Sequence, residues 1–271
     1  MRPALIVSAG AVTHPGCLRS LNEDAHLATS PIFLVADGMG GHEAGERASA
    51  AAISSFAHLI GHNDVQIDQV SSALARARAS IESLSHSARG RAGTTLSGAV
   101  LASVDGMGYW LVLNIGDSRT YRFADRELEQ ITVDHSVVQE LIEAGELTEE
   151  QATHDRRRNI ITRALGGGSE GEADYWLFPA ELGDRMLVCS DGLPNELSAE
   201  HIRGVLDSES DPQKAAEILL DDAVRAGARD NVTVVVVDAV SVASRPGMLV
   251  ASDDDIDADT LPRAASAGGV R

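Results

Sequence analysis

Four aspartates, widely separated in a chain of 271 residues, each stand where an apolar, strand-like run meets a turn. They are Asp37, Asp117, Asp191 and Asp230, in the contexts FLVADGMGG, VLNIGDSR, MLVCSDGL and ARDNVTVVVV. A carboxylate at a strand end is rigidly held and is exposed at the sheet edge. Several such groups converging there would repel one another strongly unless a cation lay between them. The pattern therefore predicts a metal-dependent hydrolase.

Two neighbouring stretches could contribute to the same site. Asp37 opens the glycine-rich run DGMGG, whose backbone carbonyls can approach a bound ion closely. Arg19 precedes the pair Glu23-Asp24 and could grip phosphate oxygens in a bidentate manner. Taken singly, the first stretch is better explained as a tight turn with an Asp helix cap, and the second equally well as a surface ion-pair cluster.

Apolar periodicity divides the chain into the elements that must position these residues. Amphipathic patterns predict helices over about 43–60, 67–86, 198–206 and 212–226. Strand patterns fall at about 3–13, 31–36, 94–104, 108–115, 118–123, 127–132, 172–178, 184–190 and 231–238. The short connections Asp105-Gly106 and 124–126 indicate hairpins, so the central strands are expected to be antiparallel. Two helix pairs separated by many such strands predict a layered sandwich of helices and sheets.

Composition and charge exclude several classes of protein. The net charge of −19 argues against nucleic-acid binding, which needs a basic surface. No apolar run predicts a membrane span or a signal peptide. The two cysteines, Cys17 and Cys189, are too few and too scattered for a disulfide framework or a zinc site, which fits a reducing cytoplasm. Residues 241–271 are rich in Asp, Ser, Ala and Gly and are predicted to form a disordered acidic tail.

Eight motifs together resemble one family, the metal-dependent serine/threonine protein phosphatases of the type 2C, or PPM, class in its bacterial form. They are RSLNEDA (19–25), ADGMGGHEAGERAS (36–49), GTTLSGAVL (93–101), NIGDSRTYRF (114–123), DHSVVQELIEAGELT (134–148), NIITRALG (159–166), LVCSDGL (187–193) and DNVTVVVV (230–237). Each motif alone is weak, but their order and spacing are specific, and the resemblance covers about 1–238.

The resemblance implies an α+β fold, a four-layer α-β-β-α sandwich of two mainly antiparallel sheets flanked by helix pairs. It implies a catalytic domain over 1–240, with a flap insertion at about 135–168. It also implies a centre of two Mn²⁺ or Mg²⁺ ions. Asp37 is expected to bridge both ions, and Asp191 and Asp230 to hold the first. The Gly38 carbonyl is expected to complete the shell of the second ion, on which Glu23 would act directly or through water.

By the same resemblance, Asp117 with Asp191 would hold a third, weaker ion, and Asp24 would orient ligand waters. Arg19 would bind the substrate phosphate. In the flap, Arg163 and the basic run 156–158 would offer positive charge to an incoming phosphopeptide, although a solvated basic face explains that run somewhat better.

The chemistry of the donors agrees with this assignment. All proposed ligands are oxygen donors, which favours Mg²⁺ or Mn²⁺ over zinc or copper. Water shared by two cations becomes a hydroxide near neutral pH and would attack phosphorus in line. The metals and Arg19 would absorb charge on the phosphoryl oxygens, and the expected catalytic residues are Arg19, Asp37 and Asp191. Some family members carry a histidine after the Asp-Gly; here Met39 stands there, so metal-bound water is the expected acid and His42 is left out of the site.

The leading hypothesis is hydrolysis of phosphoserine and phosphothreonine in proteins by a cytoplasmic monomer that opposes a bacterial serine/threonine kinase. One alternative is a catalytically weak relative that binds phosphoproteins as a regulator. Such a relative is expected to lack ligands, whereas all the proposed ones are present. A phosphatase dedicated to one phosphorylated regulator is a further alternative, but such proteins are usually fused to sensory or membrane segments.

Overall fold

The computed structural model describes residues 3–40, 43–87, 92–169 and 171–243. From position 244 onward the predicted acidic tail lies outside these residues, and so does His42. In the described part, the strands are β1 (Leu5–His14), β2 (Asp24–Thr29), β3 (Ile32–Met39), β4 (Gly93–Thr94), β5 (Leu96–Val104), β6 (Met107–Ile115), β7 (Arg119–Ala124), β8 (Glu127–Gln130), β9 (Leu165–Gly166), β10 (Asp174–Pro179), β11 (Arg185–Cys189) and β12 (Val232–Val242). The helices are α1 (Glu43–Ser54), α2 (Ile67–Ser87), α3 (Val137–Glu143), α4 (Glu149–Ala152), α5 (Ala199–Ser208) and α6 (Pro212–Ala226).

The strands form two antiparallel sheets. The first sheet has the order β1-β12-β11-β7-β8, and the second has the order β10-β6-β5-β3-β4-β9, with β2 also paired to β3. Helices α1 and α2 cover the second sheet, and α5 and α6 cover the first. The predicted α+β sandwich of four layers is therefore confirmed.

Three buried clusters separate these layers, and strand alternation explains why there are three. In β3, Ile32 and Leu34 face the α1–α2 layer, whereas Phe33 and Val35 face the opposite sheet. In β12, the even-numbered valines pack beneath α5 and α6, and the odd-numbered valines pack between the sheets. Strands buried on both faces read as continuous apolar runs, as VTVVVV does.

The predicted hairpins are confirmed by backbone geometry. Asp105 and Gly106, with φ of 53° and 78°, form the two-residue loop between β5 and β6. Asp125 and Arg126, with φ of 50° and 65°, join β7 to β8 in the same way. Two successive residues with positive φ are typical of the type I′ turn, whose twist matches that of paired strands.

The end of one helix and the presence of one strand differ from the sequence prediction. The helix expected over 43–60 ends at Ser54 and is followed by a single 3₁₀ turn, Ala57–Leu59. The hydroxyl groups of Ser54 and Ser55 both donate to the carbonyl of Ala51, which competes with helical hydrogen bonding there. Strand β2 was not predicted, because its sequence DAHLAT has little β-branched character.

Candidate active site

Every residue predicted to hold a metal ion lines one cleft at a common end of the two sheets. The cleft has a volume of about 320 Å³ and is lined by Arg19, Glu23, Asp37, Gly38, Met39, Gly40, Thr95, Asp117, Asn159, Ile161, Asp191, Asp230 and Asn231. A larger groove of about 660 Å³ beside β10 contains none of the predicted site residues. The carboxylates therefore gather in the smaller, more polar cleft.

The topology explains this convergence. Asp37 lies near the end of β3, and Asp117 lies in the turn between β6 and β7. Asp191 follows β11, and Asp230 precedes β12. Because β3 and β11 end where β12 begins, four distant points of the chain meet at one edge of the sandwich.

Burial and mutual repulsion perturb these carboxyl groups. Burial raises the pKa of Asp37 well above its ordinary value, and the charges of Asp24 and Asp191 raise it further. Burial raises the pKa of Asp117 to about 8, with the charge of Asp191 as the next cause. Burial likewise raises the pKa of Asp191 to about 6, helped by the charge of Asp230. Such groups stay ionised together only when a positive charge compensates them.

The donor set fits hard divalent cations. The available donors are carboxylate oxygens and the Gly38 carbonyl, which suit Mg²⁺ or Mn²⁺. In the described part of the chain, Asp24 Oδ1 is buried and accepts no hydrogen bond. Across the same residues, no three His, Cys, Asp or Glu side chains already form a ready-made ligand set. The fit thus rests on donor chemistry and on the shared cleft.

Asp24 lies beneath the cleft and is buried, at 8% exposure. It belongs to β2 of the second sheet and bonds to a residue of the first sheet. Its Oδ2 accepts hydrogen bonds from Ser190 Oγ and Thr233 Oγ1, both at 2.7 Å. Burial raises its pKa to about 7, while these two hydrogen bonds lower it. Asp24 therefore anchors Ser190, the residue directly before Asp191. Its predicted role in orienting ligand waters stays a prediction.

Thr95 was not predicted as a site residue, yet it holds Asp37 in place. The backbone N–H of Asp37 donates to Thr95 Oγ1, and the backbone N–H of Thr95 donates to the Asp37 carbonyl, both at 2.9 Å. The same hydroxyl lies 2.7 Å from Ser118 Oγ, next to Asp117. Thr95 links two of the site's acidic residues. Its position in the motif GTTLSG is the sequence feature that could have identified Thr95 as a site residue.

Asn231 was also missed, and it fixes the loop that carries Arg19 and Glu23. Its Oδ1 accepts from the backbone N–H of Glu23 at 2.8 Å. Its Nδ2 donates to the carbonyls of Pro15 and Leu21, each at 3.0 Å. An amide side chain supplies the one acceptor oxygen and the two N–H donors that these contacts use. Its position directly after Asp230 is the sequence feature that could have identified Asn231 as a site residue.

Gly38 is required by close packing as well as by any role of its carbonyl. A Cβ added at Gly38 would lie 2.3 Å from the Gly45 carbonyl oxygen, and one added at Gly45 would lie 2.4 Å from Glu23 Oε1. The two glycines let α1 approach the end of β3 directly. This contact places Glu23 against the cleft.

Arg19 stands at the rim of the cleft. Its Nη2 lies 2.7 Å from Asp230 Oδ2, and its side chain is 52% exposed. The hydrogen bond to Asp230 is the main cause that raises the pKa of the guanidinium. A cation on a solvent-facing rim beside the acidic cluster is suited to bind an incoming anion.

The flap contributes residues to the cleft, but Arg163 is not among them. Asn159 and Ile161 line the cleft, and neither was predicted as a site residue. Arg163 Nη1 instead donates to Asp174 Oδ1 at 3.0 Å. Within the basic run, Arg157 pairs with Asp155 at 2.8 Å. The substrate-binding role of Arg163 therefore stays a prediction.

Comparison with known families and proteins gives a consistent result. A family model described as Protein phosphatase 2C matches residues 19–219. The serine/threonine protein phosphatase PstP of Mycobacterium tuberculosis is 37% identical over 277 residues, which cover 98% of this chain and 52% of that protein. The serine/threonine phosphatase stp of Listeria monocytogenes is 32% identical over 244 residues, covering 83% of this chain and 93% of that protein. The chain thus spans about half the length of the PstP relatives.

Solved structures agree with the sequence matches. The M. tuberculosis PstP crystal structure superposes with a TM-score of 0.79 at 36% identity, covering 88% of this chain and all of that one. The PstP catalytic domain in complex with 2 manganese ions gives a TM-score of 0.76 at 37% identity, with 88% and 100% coverage. Both crystal structures share the fold of this chain.

Proposed function

Because the chain belongs to the protein phosphatase 2C family, we propose that it hydrolyses phosphoserine and phosphothreonine in proteins with Mn²⁺ or Mg²⁺. The observation that carries the proposal is the single cleft in which Asp37, Asp117, Asp191 and Asp230 meet, with Arg19 at its rim. The related PstP catalytic domain holds 2 manganese ions, which supports the choice of metal.

In this proposal, Asp37, the Gly38 carbonyl, Asp191, Asp230 and Glu23 hold two ions. Asp117 with Asp191 holds a third, weaker one. When bound, the ions supply a nucleophile from water at neutral pH and neutralise charge on the phosphoryl oxygens. The raised pKa values of the acidic cluster support this, because the carboxylates need a positive charge to stay ionised together.

Arg19 binds the phosphoryl group and is a catalytic residue together with Asp37 and Asp191. Its guanidinium offers the planar fork that matches phosphate oxygens. To do so it exchanges its partner Asp230 for the substrate. Both groups are partly exposed, so the exchange costs little. No histidine lines the cleft among the described residues, and Met39 lies there instead, so no side chain is assigned as the acid for the leaving group.

The wider setting is proposed on the same basis. A phosphatase for phosphoserine and phosphothreonine acts against a cognate serine/threonine kinase, and we place both in the cytoplasm, with this chain as a monomer. No helix in the described residues has the length and apolar character needed to cross a membrane.

A metal-titrated assay tests the proposal. Turnover of an aryl phosphate and of phosphoserine, phosphothreonine and phosphotyrosine peptides is measured in Mn²⁺, in Mg²⁺ and in EDTA. We expect metal-dependent turnover that EDTA abolishes, with a preference for the serine and threonine peptides. Turnover that survives EDTA, or a phosphotyrosine preference, would contradict the proposal.

Single changes separate the metal site from the rest of the surface. Asp37→Asn, Asp191→Asn and Asp230→Asn are each expected to remove most activity and to weaken Mn²⁺ binding measured by calorimetry. Asp221→Asn, at a largely exposed carboxylate on α6, is the matched control and is expected to behave as wild type. Tight Mn²⁺ and phosphopeptide binding without any turnover would favour the alternative of a phosphoprotein-binding regulator.

A further inference from the structure

The buried side chain of His135 lies where the two ends of the flap meet the acidic site. His135 is only 4% exposed and stands at the first position of the flap, residues 135–168. The backbone N–H of Thr162 donates to its carbonyl at 2.8 Å, and that of Val137 donates to the carbonyl of Ile160 at 2.9 Å. The start and the end of the flap therefore run side by side at this residue.

One ring nitrogen of His135 holds the turn that carries Asp117. The backbone N–H of Gly116 donates to His135 Nδ1 at 3.1 Å. The backbone N–H of His135 donates back to the Gly116 carbonyl at 2.9 Å. Gly116 has a φ of 105°, and a Cβ there would lie 2.5 Å from the Thr95 side chain. The turn directly before Asp117 thus has a conformation that glycine adopts readily and other residues do not, and His135 holds it through both the N–H and the carbonyl of Gly116.

The other ring nitrogen reaches the edge of the second sheet. Since Nδ1 accepts from Gly116, the proton of the neutral imidazole is on Nε2. His135 Nε2 donates it to Asp174 Oδ2 at 3.0 Å. The second carboxylate oxygen of Asp174 accepts from Arg163 Nη1, near the end of the flap. A single imidazole therefore connects the Asp117 turn, strand β10 and both ends of the flap.

We propose that His135 is a positioning residue that couples the placement of the flap to the Asp117 turn, through Gly116 on Nδ1 and through Asp174 on Nε2. The consequence for the site is direct, because the flap residues Asn159 and Ile161 line the same cleft as Asp117. Arg163, which donates to Asp174, then helps to hold the end of the flap in place. The effect on turnover rests on the proposed phosphatase function, whereas the coupling itself does not.

Two substitutions dissect the two contacts. In His135→Asn the amide oxygen can replace Nδ1 as acceptor for Gly116, but the side chain is too short to reach Asp174. In His135→Gln the amide nitrogen can replace Nε2 as donor to Asp174, while the acceptor for Gly116 is lost. His201→Asn is the matched control, because His201 Nε2 makes a similar contact of 2.8 Å to Asp222 on the opposite helix layer.

Hydrogen exchange of the full chain, followed by mass spectrometry without substrate, gives a readout independent of activity. We expect His135→Asn and Asp174→Ala to speed exchange in 136–162 by about tenfold, the effect of one lost hydrogen bond, with 114–119 unchanged. We expect His135→Gln to show the reverse pattern and His201→Asn to change neither segment. Identical loss of protection in both segments for the Asn and Gln variants, or no change in either, would overturn the proposal.

Kinetics tests the functional part separately. With a freed flap, His135→Asn is expected to raise KM for a phosphopeptide while kcat for a small aryl phosphate stays within about twofold. His135→Gln is expected to raise the Mn²⁺ concentration needed for half-maximal activity. If wild type shows no turnover, the proposed function fails while the exchange result still decides the coupling.

Discussion

Asp24 lies directly opposite Asp37 in the antiparallel ladder of β2 and β3. Residues paired in this way point to the same face of a sheet, so the buried carboxyl group of Asp24 is a neighbour of Asp37, which lines the cleft. The charge of Asp24 is the largest cause, after burial, that raises the pKa of Asp37. Strand β2 thus adds a further carboxyl group to a cluster of mutually repelling carboxylates.

The metal-free protein is expected to lose stability as the pH rises. Asp191, Asp24 and Asp117 have raised pKa values of about 6, 7 and 8 in the folded state, against roughly 3.9 when unfolded. Between the unfolded and the folded pKa values the folded state binds more protons than the unfolded state does. The free energy of unfolding therefore falls with increasing pH in that range. Melting temperatures in EDTA should therefore decrease from pH 5 to pH 8, and Mn²⁺ should reverse the decrease. A flat or rising profile in EDTA would show that the carboxylates are not mutually destabilising.

Arg19→Ala is expected to impair use of the substrate without unfolding the protein. Loss of a charge-assisted, bidentate contact to phosphate should reduce kcat/KM by about 10- to 100-fold. Mn²⁺ affinity and melting temperature should change little, because the pair with Asp230 is exposed. Steady-state kinetics and calorimetry measure the two effects. Arg126→Ala, which breaks another exposed pair at 2.6 Å to Asp207, is the control; an equal loss of metal binding in Arg19→Ala would mean that Arg19 supports the metal centre instead.

Arg185→Met is expected to destabilise the fold strongly while leaving the cleft intact. Arg185 is buried, pairs with Asp238 at 2.6 Å and donates to the carbonyls of Leu206 and Glu209 at the end of α5. Removing one partner of a buried pair costs about 3–5 kcal/mol. Urea unfolding measures the loss, and activity per folded molecule at low temperature should be close to that of wild type. A change below about 1 kcal/mol, as for an exposed pair, would argue against this role.

The two cysteines are expected to differ sharply in reactivity. Cys17 is exposed, whereas Cys189 is fully buried at the end of β11. Burial raises the pKa of the Cys189 thiol to about 12, so thiolate is scarce at neutral pH. A thiol reagent at pH 8 should modify Cys17 alone in the native protein and both residues in urea. Labelling of native Cys17→Ser would contradict this expectation.

Residue types and their order determined the family, the layers and most of the cleft. Strand alternation in 31–36 and 231–238 and the turn residues Asp105 and Gly106 follow from local physics, which a sequence expresses directly. The acidic residues at strand ends could be read in the same way, because each lies at a boundary between an apolar run and a turn.

The tertiary structure alone decided what surrounds those carboxylates. The pairing of Asp24 with Asp37 depends on β2, whose alanines and histidine carry little strand signal. Thr95, Asn231 and His135 hold residues distant in the chain, and their roles follow from strand register and loop packing rather than from local pattern. Arg163 is predicted to bind an anion from its charge, and only the fold shows that Asp174 is its partner in this structure. Local sequence specifies conformation and chemistry, whereas long-range packing selects the partners of each side chain.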